Sequence, residues 1–526
     1  MDVGIRPHTA RGERQVAAAA TSILVLLSYA FRLPPLLNAR STNSDAAVVG
    51  LQAIHVLRGE YSAFLWGSGY QTSADAFVAA GFFAIAGATP LALMLSSLTL
   101  HVIATWLVFA TVRRRFEPWT ALLLSLPLVF APSSIHTYAL YPPRQLSITL
   151  AVAALCAIDR AAFGQKAKRW LVLGGLLYGL AVSADPYPMV LAPIVLGYGA
   201  LVAFDSPSHR VPAFGIATLA GLVPFTLIHR SAGAKSGPMG LTMSVLEHNW
   251  DLLVRECLPW ALSYKVYFAR NVMDYQPWDA PIPVQAVQIT GAIVAAGIVV
   301  LGIGAVVAKS IPLAIRRLGF VGAMTYPVAI AAFLVSVMVM DHFSMRYLAV
   351  LTTMLPFASM PAARLLGGRR FAILMAPHLV ASALCGWIGY GPFVHGALPV
   401  LETPELRDDY ALFDLLRARG ITHAEADYWA SYRLTFLFGE RVVVVPTNAN
   451  EDRYPPYRRA FDAAPVFAYV FDPGRSRESL AEAEASLVRA NASVERTQAG
   501  GHTVFVVTRA EAPRVGGERD PKAPPP

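Results

Sequence analysis

Two aspartates in the segment that follows the first apolar run have the residue type and placement for acid–base chemistry. Asp45 opens a helical stretch at 45–59, and Asp75 lies further along the same predicted loop. A carboxylate held beside a membrane can take the proton of an attacking hydroxyl group as a general base. Both are therefore predicted catalytic residues. A purely structural alternative stays open, in which each acid only stabilises the start of a helix.

Two arginines lie in turns with few other charges, and both are predicted to bind phosphate. Arg144 belongs to the turn Tyr141-Pro-Pro-Arg-Gln145, and Arg346 belongs to Phe343-Ser-Met-Arg-Tyr347. The guanidinium group is a rigid fork that matches phosphate oxygens. The alternative for both residues is that the side chain only reaches a lipid head group at the membrane surface.

Aromatic residues accompany these charges and are predicted to contact a sugar or an acceptor. Aromatic rings stack on sugar rings, although they also populate every membrane interface. The candidates are Tyr61, Trp66, Tyr70 and Tyr347.

The composition indicates a polytopic membrane protein. The chain is 55% hydrophobic and only 15% charged, whereas a soluble protein has about 25% charged residues. The net charge of +9 comes from short basic clusters between apolar segments, which indicates membrane topology and excludes a nucleic-acid footprint. The three cysteines are far apart, so neither a metal site nor a disulfide framework is expected.

Eleven apolar segments have lengths close to the roughly 20 residues needed to cross a bilayer, and each is predicted to be a membrane span. The protein is predicted to lie in an inner or plasma membrane. The basic clusters place its N-terminus in the cytoplasm and its C-terminus on the extracytoplasmic side. The predicted spans are 17–37, 89–111, 117–133, 146–162, 170–184, 187–204, 211–229, 281–307, 318–340, 345–363 and 371–391.

The chain is predicted to contain two domains. Residues 1–16 form a cytoplasmic N-terminus, and 17–399 form a transmembrane domain whose first outer loop is 38–88. Strands at 441–446, 465–471 and 502–508, with helices at 405–419 and 478–490, predict a small extracytoplasmic α/β domain over 400–509. The tail 510–526 is predicted to be disordered.

The segments Ser44–Gly59 and Trp66–Ala80 resemble the first outer loop of membrane glycosyltransferases of the GT-C fold. The resemblance is to bacterial family 39-like enzymes, which are related to protein O-mannosyltransferases and the lipid A aminoarabinose transferase. It implies a GT-C-like helical fold, Asp45 as the base, and Arg346 beside the donor phosphate. Asp75 stands in Thr-Ser-Ala-Asp, where relatives have a Gly-Gly-Ser-x-Glu-like stretch. The turn 133–145 lacks the acid that some relatives carry there.

The predicted activity is inverting transfer of a sugar from a polyprenyl-phosphate donor to an acceptor hydroxyl on the extracytoplasmic side. The expected partners are this donor, membrane lipids, and a glycan, lipid or protein acceptor. No cofactor is required by this chemistry, and a divalent metal is compatible with it but not indicated. Two alternatives stay open: a lipid-sugar flippase or transporter, and a scaffold for envelope glycan assembly.

Overall fold

The computed structural model of the chain describes most of its 526 residues and divides them into two compact units, Met1–Thr403 and Pro404–Pro526. The described residues are 10–38, 42–131, 137–163, 166–205, 210–232, 242–265, 267–269, 275–277, 279–390, 394–395, 398–399, 404–473, 475–489 and 493–509.

The first unit is helical. Its α-helices are α1 (Ala10–Ala30), α2 (Leu33–Leu37), α3 (Ser44–Leu57), α4 (Ala74–Ala86), α5 (Pro90–Val112), α6 (Pro118–Val129), α7 (Thr137–Leu140), α8 (Gln145–Ala161), α9 (Ala167–Ala184), α10 (Ala192–Phe204), α11 (Arg210–Ala232), α12 (Met243–Leu252), α13 (Leu258–Ala261), α14 (Ile282–Gly304), α15 (Leu313–Leu334), α16 (Ala349–Ala358), α17 (Met360–Leu366) and α18 (Gly368–Gly389). A π-helical turn, Leu253–Cys257, joins α12 to α13, and 3-10 helices cover Tyr187–Leu191, Ala305–Val307 and His342–Leu348. Two short antiparallel hairpins pair β1 (Tyr267–Ala269) with β2 (Tyr275–Pro277), and β3 (Val394–His395) with β4 (Leu398–Pro399).

Seven helical segments within the described residues are long and apolar enough to cross a membrane, so the predicted count of eleven is wrong by this measure. The other four predicted spans coincide with helices α1, α6, α8 and α9. Helices α6 and α8 have only 12 and 17 residues. Helices α1 and α9 begin with charged residues, which lower their hydropathy. The seven segments are Pro90–Val112, Tyr187–Phe204, Arg210–Ile228, Ile282–Val307, Leu313–Leu334, His342–Leu366 and Gly368–Gly389.

Helices α9 and α11 approach each other closely because glycines form their interface. A Cβ atom added at Gly179 would lie 2.3 Å from the carbonyl oxygen of Thr218 and 2.7 Å from the Cα of Gly221. The Ser183 hydroxyl donates to the carbonyl oxygen of Gly221 at 2.7 Å. These contacts fix the end of α9, after which Asp185 follows.

Ionisable side chains are also buried inside the helical unit. The fully buried Arg32 donates to the carbonyl oxygens of Ser28 and Leu128, at 2.8 and 3.1 Å, and lies 3.0 Å from His101. These contacts connect α1 with α5 and α6, which gives the buried cation a structural role.

A second buried charge lies at the ends of α5 and α8. Asp159 is fully buried and accepts from Arg115 at 2.5 and 3.0 Å. Arg114 and the Tyr198 hydroxyl also donate to Asp159, at 3.4 and 2.9 Å. The carboxylate therefore joins α5, α8 and α10 where basic residues are concentrated.

The second unit is an α/β domain with a five-stranded sheet in the order β6-β5-β7-β9-β8. Strand β5 pairs in parallel with β6 and β7, and β9 pairs antiparallel with β7 and β8. The fold class predicted from the sequence, a polytopic helical protein with a small C-terminal α/β domain, is confirmed. The elements of this unit are α19 (Pro404–Ala418), β5 (His423–Ala426), α20 (Tyr428–Leu437), β6 (Val443–Pro446), a 3-10 helix (Ala449–Glu451), α21 (Pro455–Ala463), β7 (Val466–Phe471), α22 (Leu480–Arg489), β8 (Ser493–Ala499) and β9 (His502–Thr508).

Candidate functional site

Four segments of the helical unit meet where α8 begins and α9 ends. They are the start of α8, the turn after α9, the 3-10 helix His342–Leu348, and the loop between α3 and α4. The loop is attached to α9 because the backbone N–H and hydroxyl of Thr72 both donate to the carbonyl oxygen of Ala184, at 3.3 and 2.7 Å. The 3-10 helix begins at a capping box formed by Asp341 and Ser344.

Arg144 lies at the centre of this meeting point and is held through both its backbone and its side chain. Its φ of 99° is in the left-handed region, which costs a residue with a side chain about 1–3 kcal/mol. The backbone N–H groups of Arg144 and Leu146 donate to the two carboxylate oxygens of Asp75, at 3.1 and 3.3 Å. The guanidinium Nε donates to Asp185 at 3.1 Å, and Nη2 donates to the Tyr70 hydroxyl at 3.3 Å.

Arg346 and Tyr347 complete the cluster from the 3-10 helix. The positive charges of both Arg144 and Arg346 act on the phenol of Tyr347. The Cζ atoms of these arginines lie 5.5 and 5.3 Å from the centre of the Tyr347 ring. The Tyr187 hydroxyl donates to the carbonyl oxygen of Tyr347 at 2.9 Å, which attaches the turn after α9 to this helix.

The name "Arg144 site" is used below for Tyr70, Arg144, Asp185, Arg346 and Tyr347. Two guanidinium groups and two phenols, all hydrogen-bond donors, converge here. Such a set suits an anion with several oxygens, above all a phosphate. The structure thus brings together both predicted phosphate-binding arginines and two of the four predicted aromatic residues.

Asp45 lies at the start of α3, within electrostatic range of Tyr70. The N-cap of α3 is Asn43, whose side chain accepts from the backbone N–H of Ala46 at 2.8 Å, so Asp45 is not the N-cap. Burial raises the pKa of the Tyr70 hydroxyl, and the charges of Asp185 and Asp45 raise it further, while Arg144 lowers it. Asp45 is half-buried, and this electrostatic influence puts it in the neighbourhood of the Arg144 site.

Asp75, the second predicted catalytic residue, occupies a different kind of position. Its side chain is buried, with the residue only 5% exposed, and both carboxylate oxygens accept the N–H groups that open α8. Burial raises its pKa to about 6 although these two N–H groups favour the ionised form. Through these contacts the carboxylate of Asp75 holds the backbone of Arg144 in place.

Two of the predicted aromatic residues point elsewhere. Trp66 is 8% exposed and packs edge-on against His55 of α3, with ring centres 4.9 Å apart. Tyr61 is 71% exposed and stacks on Phe77, with ring centres 6.0 Å apart. Tyr61 and Phe77 border an apolar groove of ≈ 550 Å³, which is lined further by Leu146, Leu150, Leu180, Pro224 and Ile228.

Three residues of this region, Asp185, Gln71 and Tyr187, were not candidates from the sequence. Asp185 lies in the short turn Asp185-Pro-Tyr-Pro188, and a lone charge between two apolar helices was the available signal. Within the described part of the chain, no three His, Cys, Asp or Glu side chains are grouped closely enough to hold a metal ion. The absence of a required cofactor stays a prediction.

One part of the chain matches a known protein family, and this part contains several residues of the site described above. Asp75, Arg144 and Asp185 all lie between residues 74 and 229. This stretch matches the family model of the dolichyl-phosphate-mannose-protein mannosyltransferases. The resemblance to membrane glycosyltransferases that the sequence predicted is confirmed over this segment.

Solved structures are similar to larger parts of the chain at low identity. Undecaprenyl phosphate-bound ArnT from Cupriavidus metallidurans is 14% identical, with 96% of this chain and 99% of ArnT covered and a TM-score of 0.46. The apo oligosaccharyltransferase of Archaeoglobus fulgidus is 11% identical, with 83% and 65% covered and a TM-score of 0.47. No curated protein matches the chain by sequence.

Proposed function

We propose that the chain is a membrane glycosyltransferase that moves a sugar from a polyprenyl-phosphate donor to an acceptor hydroxyl with inversion. The observation that carries the proposal is the Arg144 site, where two guanidinium groups and two phenols converge within the electrostatic range of the Asp45 carboxylate. The family match over residues 74–229 supports the class of reaction.

Asp45 is the proposed general base. The acceptor hydroxyl gives its proton to the Asp45 carboxylate while its oxygen forms a bond to the anomeric carbon of the sugar. The bond between the anomeric carbon and the phosphate oxygen breaks, and its electron pair stays on that oxygen. Attack from the side opposite the phosphate inverts the anomeric configuration.

The Arg144 site stabilises the leaving group in this scheme. The phosphate of the donor carries one negative charge and gains another as the sugar departs. Arg144, Arg346 and the phenol of Tyr347 are positioned before the reaction, and fixed donors that meet developing charge lower the barrier. Arg144 and Arg346 are thus the proposed ligands of the donor phosphate. The aromatic rings of Tyr70 and Tyr347 are proposed to contact the sugar, while the Tyr347 hydroxyl faces the phosphate.

The apolar groove next to the site suits the hydrocarbon chain of the donor. Leu146 belongs to the groove and follows Arg144 by two residues, so a phosphate bound at Arg144 and a chain in the groove can belong to one molecule. Tyr61 then contacts lipid rather than sugar. We propose that this end of the helical unit faces the extracytoplasmic side, because Arg114 and Arg115 contact Asp159 near the opposite end of α8.

The test is transfer of labelled sugar from polyprenyl-phosphate donors by the full-length protein in proteoliposomes. Asp45→Asn is expected to lower the turnover about 10²–10⁴-fold while donor binding is retained, because a general base contributes about this much. Asp205→Asn is the control, since Asp205 pairs with Arg317 away from the site. Full turnover by Asp45→Asn would remove Asp45 from the mechanism, and a wild type inactive with every donor would favour a transporter or scaffold.

A further inference from the structure

We propose that Asp185 is a positioning residue that fixes the guanidinium group of Arg144 so that its two terminal nitrogens face the donor phosphate. The inference rests on the proposed function, to which it adds the device that orients the phosphate ligand. No sequence motif or family match assigns a role to Asp185.

Asp185 is almost completely buried, and both of its carboxylate oxygens already accept hydrogen bonds. Its Oδ2 accepts from Arg144 Nε at 3.1 Å and from Gln71 Nε2 at 2.7 Å. Its Oδ1 accepts from the backbone N–H of Tyr187 at 2.7 Å. With only 2% of the residue exposed, the carboxylate is enclosed by protein donors and is not offered to an acceptor hydroxyl.

Because Nε is the atom that donates to Asp185, this hydrogen bond also determines how the rest of the Arg144 guanidinium group is oriented. The group is planar and rigid, so a hydrogen bond at Nε fixes its plane and the direction of both terminal nitrogens. Arg144 Nη2 lies 3.3 Å from the Tyr70 hydroxyl, and the Arg144 Cζ atom lies 5.5 Å from the centre of the Tyr347 ring. The terminal nitrogens therefore lie among the other donors of the Arg144 site.

The backbone conformation of Arg144 shows that its position is strongly constrained. A residue with a side chain is kept at a φ of 99° only where its surroundings compensate for the cost. Asp75 holds the backbone N–H of Arg144 from α4, and Asp185 holds its Nε from the end of α9. Two buried carboxylates from different helices thus fix one arginine.

Electrostatics gives the proposal a distinctive signature. The negative charge of Asp185 opposes the binding of an anion at Arg144, while the hydrogen bond orders the side chain. Asp185→Asn removes the repulsion together with the strong acceptor. Donor affinity is therefore expected to stay equal or rise while turnover falls, because the cation no longer stands where charge develops.

The kinetic experiment compares wild type, Asp185→Asn, Asp185→Glu and Gln71→Leu as full-length proteins in proteoliposomes. The expected result for Asp185→Asn is a kcat at least about tenfold lower with an unchanged or lower KM for the donor. Asp185→Glu keeps the charge and is expected to recover part of this loss. Gln71→Leu removes one neighbouring donor and is expected to have a smaller effect. Asp205→Asn controls for loss of a carboxylate elsewhere. An unchanged kcat per folded Asp185→Asn molecule overturns the proposal.

A second measurement tests the orientation without any turnover. Arginine labelled with ¹⁵N at Nε is incorporated into the protein in nanodiscs, and the Arg144 signal is assigned by its disappearance in Arg144→Lys. A slowly exchanging Nε–H signal in wild type that is lost in Asp185→Asn supports the proposal, and its retention overturns it. If wild type transfers no sugar, the proposed function fails while this signal still decides whether Asp185 fixes Arg144.

Discussion

Arg144 Nε donates to Asp185 Oδ2 at 3.1 Å across 41 residues of sequence. The pair is possible because α8 begins directly after Arg144 and α9 ends directly before Asp185, so two consecutive helices carry the partners to one end of the unit. The charge of one partner compensates the buried charge of the other. This contact therefore maintains the orientation of the Arg144 guanidinium group, and not only the presence of a cation at the site.

Arg144→Lys tests whether turnover requires the planar guanidinium group or only a positive charge. Lysine keeps the positive charge but cannot donate to Asp185, Tyr70 and a phosphate at once from fixed directions. Turnover is expected to fall about 10²–10³-fold, the range found when one donor to a developing oxyanion is removed. Donor turnover in proteoliposomes measures this, with Arg317→Lys as the matched change at an exposed pair. Full activity in Arg144→Lys would show that charge alone suffices.

Protonation of Asp75 is expected to lower activity in acid. Its pKa is raised to about 6 by burial, with Arg144 and Asp185 as the neighbouring charges. The neutral acid has only one good acceptor oxygen for the two N–H groups of Arg144 and Leu146, so the start of α8 loosens. Transfer by the wild type should decline as the pH falls through about 6. Transfer by Asp75→Asn should be slower and should depend less on pH in this acidic range.

The stability of the helical unit should change in the opposite sense. Ionised Asp75 is disfavoured in the fold, because its pKa rises from 3.8 to about 6. At about 1.4 kcal/mol for each pH unit, the ionised acid costs about 3 kcal/mol above pH 6, and this cost is relieved as the pH falls toward 4. Thermal unfolding of wild type and Asp75→Asn between pH 4.5 and 7.5 measures the difference. An identical pH dependence in both proteins would contradict the account.

The sequence indicated Arg144 and Arg346 because a charge in an otherwise apolar turn is unusual and therefore informative. It could not indicate which carboxylate meets which arginine, since the contact with Asp185 spans 41 residues. Nor could it separate Asp45 from Asp75. Both begin helices, and only the tertiary fold shows that the carboxylate of Asp75 accepts the N–H groups of another helix.

In the C-terminal unit the sequence predicted strands at 441–446 and 465–471, where β-branched and aromatic residues dominate. It missed β5, His423–Ala426, because alanine and glutamate favour helices. This strand nevertheless lies between β6 and β7 in the sheet. Pairing on both sides therefore overrides its local preference, and that pairing is non-local.

Gly179→Ala tests the close approach of α9 and α11. The added methyl group would lie 2.3 Å from the carbonyl oxygen of Thr218, so the helices must separate at the point that fixes Asp185. Overpacking of this kind costs about 1–3 kcal/mol, and a lower thermal unfolding temperature with reduced transfer is expected. Gly197→Ala on α10 is the matched control, because nothing lies within 4 Å of its added Cβ atom. Equal effects of both substitutions would contradict the packing argument.

Asp409→Asn tests the buried charges of the C-terminal unit. Asp409 on α19 accepts from Arg433 on α20 and lies 3.2 Å from His502 Nε2, and all three side chains are buried. Burial alone would raise the pKa of Asp409, but Arg433 and His502 hold it well below its usual value.

Removing this charge leaves Arg433 buried without its compensating carboxylate, which typically costs about 3–5 kcal/mol. We expect faster hydrogen–deuterium exchange of peptides from Tyr428–Leu437 in the full-length variant. Asp414→Asn changes an exposed acid on the same helix and should leave this exchange unaltered. If both variants exchange like wild type, the ion pair contributes little, because solvent or a neighbouring group then compensates Arg433.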